Sequence, residues 1–328
     1  MTAVVVEWGS STAVRQCGML LAATGVRVVR SAPAQADPNG IPASHLDRGK
    51  EVDSVPDFDL VITDGTWHAP AGELLEAGVD IVAVTPFGLA GPDAGYAGGD
   101  LIASHAGGYA YYLTWSVDDP ATEPPRRGPQ GQAQLAAGLT AAVAANARLA
   151  GRARAGAQHR AELVDVSEQE AVATLLLPEL SERTEGKLKS GRHRARGGSK
   201  VAGGLVGLLP CADGHVIISP REDHQWARLM AILGDPPWGS ARDAATPAAR
   251  MANWEDLQQL LGAWSRSRAK DAVFRQLQAA RIPCFPVNHV ADALSLPQLR
   301  HRDFFYQTAD GDVGPSLPFR RSTMEGSA

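Results

Sequence analysis

AVVVEWGSSTAVRQCGMLLAATGVRVVR, residues 3–30, sets two short apolar runs around a helical pattern. Ala3–Glu7 is rich in β-branched residues, Val14–Ala23 carries helical spacing, and Gly25 precedes a second run at Val26–Arg30. Neither run alternates polar with apolar residues, the signature of strands buried on both faces in a parallel sheet. Strand–helix–strand order implies right-handed crossovers and an open α/β sheet. Asp59–Ile62, Val79–Val84 and Leu163–Val166 read as further strands of the same kind. Ligands of such sheets sit beyond the carboxyl ends of the strands, so the residues that follow each run matter most.

After Val84 comes Thr85-Pro86-Phe87-Gly88-Leu89-Ala90-Gly91-Pro92, whose glycines and prolines make a turn. A helix is expected to open near Asp100, with the carboxylate at its positive end, and to stop at Gly107-Gly108. Gln134–Arg154 is the strongest helical signal: alanine dominates, and Leu135, Leu139, Val143 and Leu149 are the larger apolar groups. Its small side chains favour close packing against other helices. A further helix is expected to follow Val166 as far as Leu175.

From Glu182 to Lys200 seven basic residues face Glu182 and Glu185, and Gly197-Gly198 and Gly203-Gly204 bracket Lys200. This reads either as a solvated linker or as a cationic glycine-rich loop beside a phosphate-bearing ligand. Beyond it, Leu208–Ser219 suggests a hairpin turning at Asp213-Gly214. Helical patterns cover Gln225–Leu233 and Trp254–Ala280, and Arg281–Val287 is an extended segment held by two prolines. The expected division is a large domain over 1–182, a basic glycine-rich loop over 183–204, a small α+β domain over 205–290, and a return to the large domain over 291–328.

Composition bounds the function. A chain of 328 residues, 44% hydrophobic and 20% charged, suits two globular domains. Thirty-one basic against 36 acidic residues leave a net charge of −5, which argues against a nucleic-acid binder. No run approaches the roughly 18 apolar residues of a membrane span, and MTAVVVEWGSS lacks the charged start of a secretory leader. Cys17, Cys211 and Cys284 are widely spaced, as befits reduced thiols in a cytoplasmic protein. Arginine outnumbers lysine 26 to 5, which we read as coding bias rather than chemistry. There is no G-x-G-x-x-G after Val6, no P-loop, no G-x-S-x-G and no C-x-x-C, and the nine histidines fall at no metal spacing. Composition and spacing therefore name no reaction and no metal.

A resemblance goes further. In order along the chain stand Gly25-Val26-Arg27-Val28-Val29-Arg30, Asp47-Arg48-Gly49-Lys50, Thr85-Pro86-Phe87-Gly88 with Gly91-Pro92, and Asp100-Leu101 with Gly107-Gly108. Pro124-Pro125, Gly138-Leu139-Thr140-Ala141-Ala142, Val164-Asp165-Val166-Ser167 with Glu170-Ala171, Asp213-Gly214 and Ile282-Pro283-Cys284-Phe285-Pro286-Val287 follow, and Leu296-Pro297-Gln298 ends the series. The series resembles the class III CoA-transferases, a family whose fold also serves 2-methylacyl-CoA racemases. The resemblance implies a Rossmann-like large domain built from both chain ends, a small domain between them, and two chains interlocked as a dimer. It implies coenzyme A or an acyl-CoA as substrate rather than as a tightly bound cofactor, and a carboxylate acceptor. It places Arg30, Lys50, Phe87 and Gly88 near CoA, and sets Gly197, Gly198, Gly203 and Gly204 in the loop that covers the thioester.

The family's chemistry is nucleophilic attack by an aspartate on the thioester. That aspartate stands four residues before the glycine matching Gly138, and here the position holds Gln134. A racemase is disfavoured as well, since Gly99 stands where its histidine precedes the residue matching Asp100. The stretch Asp64–Pro70 lacks the N-F-R-P-G that brings an arginine near CoA. Three functions follow. One is a diverged CoA-transferase in which another carboxylate, Asp100 or one from a partner, takes the role. Another is a non-catalytic CoA-binding subunit paired with an aspartate-bearing homologue. The last is an acyl-CoA isomerase, hydratase or lyase in which Gln134 polarises the thioester carbonyl.

Overall fold

The computed structural model describes residues 3–30, 36–55, 57–113, 116–117, 119, 121–126, 128–177, 180–181, 193–194, 200–201, 204–308 and 311–320. The chain divides into two units, Met1–Trp115 with Pro124–Arg192 and His301–Ala328, and Ser116–Glu123 with His193–Arg300.

The first unit is built on six parallel strands, β1 (Val4–Trp8), β2 (Arg27–Arg30), β3 (Glu51–Val52), β4 (Leu60–Thr63), β5 (Asp80–Thr85) and β6 (Leu163–Ser167). Their order across the sheet is β3-β2-β1-β4-β5-β6. This is the open parallel sheet expected from residues 3–30. All residues of β4 and β5 are buried, because helices cover both faces. On one face α1 (Thr12–Ala23) and α4 (Gln132–Ala155) pack on Val5, Leu60, Ile62 and Val82. On the other, α2 (Ala71–Glu76) sends Leu74 onto Val6, Val61 and Ile81. The helix α3 (Asp100–Ala106) precedes α4, and α5 (Glu168–Ala173) starts directly from β6. The chain leaves β1 toward one side of the sheet and returns at β4 toward the other, so a crevice forms at the carboxyl ends of these two strands.

The second unit is α+β. Strands β7 (Gly207–Cys211), β8 (Gly214–Ile218) and β9 (Cys284–Pro286) form an antiparallel sheet. Helices α6 (Asp223–Ile232), α7 (Trp254–Ser265) and α8 (Lys270–Ala279) pack on it through Trp226, Leu229, Trp254, Leu261, Val273 and Leu277. The single helical pattern expected over Trp254–Ala280 is therefore two helices. The Asp213 carboxylate in the hairpin turn accepts the Lys270 N–H at 2.7 Å and starts α8 anew. Cys17, Cys211 and Cys284 are free and buried.

Helix α4 packs closely through its small side chains, as expected. It buries Ala133, Gln134, Ala137, Gly138, Ala141, Ala142 and Ala145, whereas Leu139 and Val143 are 56% and 65% exposed. The small residues face inward because α1 comes so close: a Cβ on Gly138 would lie 2.7 Å from the Ala13 carbonyl oxygen and 2.8 Å from Gln16 Cβ. Gly151, on the same helix, has no atom within 4 Å of such a Cβ. Gly138→Ala is expected to lower stability by about 1–3 kcal/mol through overpacking. Gly151→Ala is expected to raise it by up to about 1 kcal/mol through helix propensity. Urea denaturation of both variants checks the pair, and equal effects would contradict the close helix contact.

Candidate active site at the carboxyl edge of the sheet

The turn after β1 is fixed first. Ser11 caps α1 by accepting the Val14 N–H, and Asp64, just beyond β4, accepts the N–H groups of Ser10 and Ser11 at 2.8 and 3.0 Å. The two strands flanking the crevice are thus tied together by one carboxylate. At β5 the turn with Phe87 and Gly88 is held on both sides: Pro86 O accepts from Gln169 at 3.1 Å, and Asp165 Oδ2 accepts the Leu89 N–H at 2.8 Å.

Asp100 is the first residue of α3, as expected, yet its carboxylate serves a different helix. Its Oδ2 accepts the Gly131 N–H at 2.9 Å and its Oδ1 the Ala133 N–H at 2.8 Å, so it closes the open amino end of α4. This places Gln134, one residue on, in the buried interior. The far end of α4 is anchored too, because Arg148 reaches Asp80 at the start of β5 at 2.7 Å.

Gln134 is 7% exposed, and both ends of its amide are engaged. Oε1 accepts from Asn39 Nδ2 at 2.7 Å, and Nε2 donates to Glu168 Oε1 at 2.9 Å. Asn39 also donates to Thr12 Oγ1, which fixes which end of each amide is oxygen. Glu168, the first residue of α5, is 1% exposed, and its Oε2 has no hydrogen-bond partner among the described residues. Burial pushes its carboxyl up to about 7; the Gln134 hydrogen bond holds it down, and the charges of Asp100 and Asp64 raise it further.

The structure brings Gln134, Asp100, Phe87 and Gly88 to this edge of the sheet. Arg30 and Lys50 lie in an internal cluster of ion pairs. Glu7 takes Lys50 at 2.6 Å and Arg30 at 3.0 Å, and Asp47 takes Arg30 at 2.5 Å and Arg15 at 3.1 Å. The side chains of Lys50 and Arg30 are 1% and 7% exposed. Burial raises the Glu7 carboxyl and lowers Lys50, with each partner pulling the other back. Gly204 belongs to the second unit, in a two-strand ladder with Lys200–Val201. Gly197, Gly198 and Gly203 lie outside the described residues.

Glu168, Asn39 and Gln16 are the residues that the sequence did not mark. Glu168 looked like an ordinary acidic residue opening a helix. Gln16 lines a cavity of about 350 Å³ with Ile41, His45, Gln130, Leu135 and Tyr306. Its Oε1 is buried with no hydrogen-bond partner among the described residues. Among the described residues no group of three His, Cys, Asp or Glu could hold a metal, and no helix is long and apolar enough to cross a membrane.

The Glu168 carboxyl makes stability depend on pH. Its folded value of about 7 exceeds the ordinary 4.5, so between these values the folded chain keeps a proton that the unfolded chain has lost. Stability therefore falls as pH rises through this window. Glu168→Gln removes the effect, and the variant is expected to gain about 2–3 kcal/mol on the wild type between pH 5 and pH 8. Urea midpoints at the two pH values measure it; a gap that stays constant would contradict a buried titrating carboxyl.

Residues 79–328 match the family model "CoA-transferase family III". The chain is 30% identical to the succinyl-CoA:(R)-benzylsuccinate CoA-transferase subunit BbsE of Thauera aromatica, over 74% of this chain and 58% of that protein. It is 26% identical to succinyl-CoA–D-citramalate CoA-transferase of Chloroflexus aurantiacus, over 94% of this chain and 83% of the other. With succinate–glutarate CoA-transferase of Agrobacterium fabrum the identity is 25%, over 71% of this chain and 56% of that protein. The chain thus matches a little over half the length of the benzylsuccinate and glutarate relatives. A CAIB/BAIF family protein from Brucella suis shares the fold with a TM-score of 0.74 at 23% identity, covering 98% of this chain and 92% of its own. Rv3272 from Mycobacterium tuberculosis does so with a TM-score of 0.77 at 20% identity and the same coverages. The ordered motifs from Gly25 to Gln298, the parallel sheet and the family match converge: this chain belongs to CoA-transferase family III.

Proposed function

We propose that this chain binds acyl-CoA thioesters at the carboxyl edge of its parallel sheet and transfers CoA to a carboxylate acceptor. The supporting observation is the buried pair of Gln134 and Glu168 at the position where the resemblance puts the attacking aspartate. The names of two of these relatives pair succinyl-CoA with a carboxylic acid, and we carry that substrate class over to this chain. Asp100 is a poor substitute nucleophile, because each oxygen already accepts a backbone N–H that α4 needs. Acyl-CoA is a substrate here and not a resident cofactor.

A second chain belongs to this reading. Leu139 and Val143 on α4, with Leu175 and Leu177 beyond α5, are exposed apolar groups that a partner would cover. An interlocked dimer suits them. A heterodimer is the second reading: Gln134 carries no charge, and the benzylsuccinate relative is a subunit, so an aspartate-bearing homologue would supply the chemistry.

Calorimetry with coenzyme A, and isotope exchange between each of several acyl-CoAs and its free acid, test both readings on the purified chain. Binding with exchange is expected. Binding without exchange would move the assignment to the partner subunit, and no affinity for coenzyme A or its esters would reject the proposal.

A further inference from the structure

Four carboxylates gather around the start of α4: Asp37, Asp64, Asp100 and Glu168. Three are fully committed. Asp37 accepts from Asn39 N and Thr12 Oγ1, Asp64 from Ser10, Ser11 and Thr66, and Asp100 from Gly131 and Ala133. Among the described residues Glu168 alone of the four has an oxygen without a hydrogen-bond partner, and that oxygen is buried. A buried carboxylate oxygen with no donor costs about 1–3 kcal/mol or more, so its persistence asks for a use. Gln134 holds the other oxygen of the same group at 2.9 Å.

We infer that Glu168 is the nucleophilic carboxylate of this chain, moved by one hydrogen bond from position 134 to the first residue of α5. The inference rests on the acyl-CoA reading given above. In the reaction, a Glu168 carboxylate oxygen attacks the thioester carbonyl carbon, and the C–S bond breaks with its electron pair leaving on the CoA thiolate. The product is a mixed anhydride of Glu168 and the acyl group. The thiolate then attacks the glutamyl carbonyl, the anhydride C–O bond breaks, and the acyl group departs as its carboxylate. The resulting glutamyl-CoA thioester is attacked by the acceptor carboxylate. A second anhydride and the thiolate form, and attack of the thiolate on the acceptor's carbonyl releases acceptor-CoA and the Glu168 carboxylate. No oxidant, reductant or net proton is required. The burial of Glu168 suits these steps, since water would hydrolyse the anhydride. The Gln134 amide supports the attacking group, which an aspartate at 134 would repel.

The groups facing Glu168 are Gln134 from α4, Asp100 from α3 and Asp64 from beyond β4. Burial, helped by the charges of these two acids, favours the protonated Glu168, so exchange is expected to rise with pH through neutrality.

The test uses the whole chain and succinyl-CoA. After incubation, intact mass spectrometry reads covalent CoA, and hydroxylamine trapping followed by peptide mapping locates it. A CoA adduct on Glu168 is expected. Glu168→Gln should lose the adduct and lower succinyl-CoA/succinate exchange by at least about 10³-fold, while calorimetry finds its CoA affinity within about threefold of the wild type. Retained binding shows that the variant is folded, and partial exchange in Glu168→Asp would separate a chemical role from a structural one. An adduct on another residue, undiminished exchange in Glu168→Gln, or a wild type that binds CoA without adduct or exchange would overturn the proposal. A wild type that fails to bind CoA would bring down the acyl-CoA reading first, and this inference with it.

Discussion

The backbone N–H groups of Gly131 and Ala133 open a buried helix, and one carboxylate, that of Asp100, accepts both. Without it α4 would begin with unpaired donors inside the protein, which no helix end tolerates cheaply. The cap fixes the first turn of α4, and the first turn fixes Gln134. Arg148 on Asp80 fixes the other end of the helix, and the contact of Gly138 with Ala13 and Gln16 fixes its distance from α1. A residue 31 positions upstream of Gly131 thereby decides where the site lies. It also explains why Asp100, acidic and close by, is held in a structural task.

The choice of glutamine at 134 follows from the same crowding. Asp100 and Asp64 already raise the Glu168 carboxyl, and burial raises it more. A carboxylate at 134 would set two acids within one hydrogen bond of each other in a poorly solvated place. They could share a proton, but both could not ionise near neutrality. The amide avoids this by offering a donor to Glu168 and an acceptor to Asn39. Gln134 and Glu168 are therefore best treated as one unit: truncating either to alanine leaves the other's polar group buried and unpaired, whereas Glu168→Gln keeps an amide oxygen to accept the Gln134 N–H.

The sheet was legible because β4 and β5 are buried on both faces and β1, β2 and β6 each carry two or more valines within a short run. β3 was not: Glu51 and Val52 are both exposed and too few to carry a pattern. The helix boundary at Arg266–Ala269 was hidden because its cap, Asp213, sits 57 residues from Lys270. The close packing of α4 is legible in its small residues, but its inward face is not, since an alanine-rich helix gives no hydrophobic stripe by which to orient it; the packing of Gly138 on Ala13 decides it. Gln134 and Asp100 could be picked out only through a resemblance. Glu168 could not be picked out at all, because nothing local distinguishes an acid that opens an exposed helix from one buried under Gln134.

Arg30 and Lys50 illustrate the same limit from the opposite side. By residue type each could meet a phosphate, but the fold spends their charges inside. Glu7 is buried between them, and drawing either cation away would leave that carboxylate short of compensation, at a cost of about 3–5 kcal/mol if a partner were lost outright. What the cluster does is position. Asp47 holds Arg15, Arg15 faces Asp37 at 3.8 Å, and Asp37 takes the Thr12 hydroxyl. Thr12 accepts from Asn39, and Asn39 donates to Gln134. The orientation of the Gln134 amide, and through it the oxygen of Glu168 that is held, is thus set by a line of polar contacts that runs from Asp47 through Arg15, Asp37, Thr12 and Asn39.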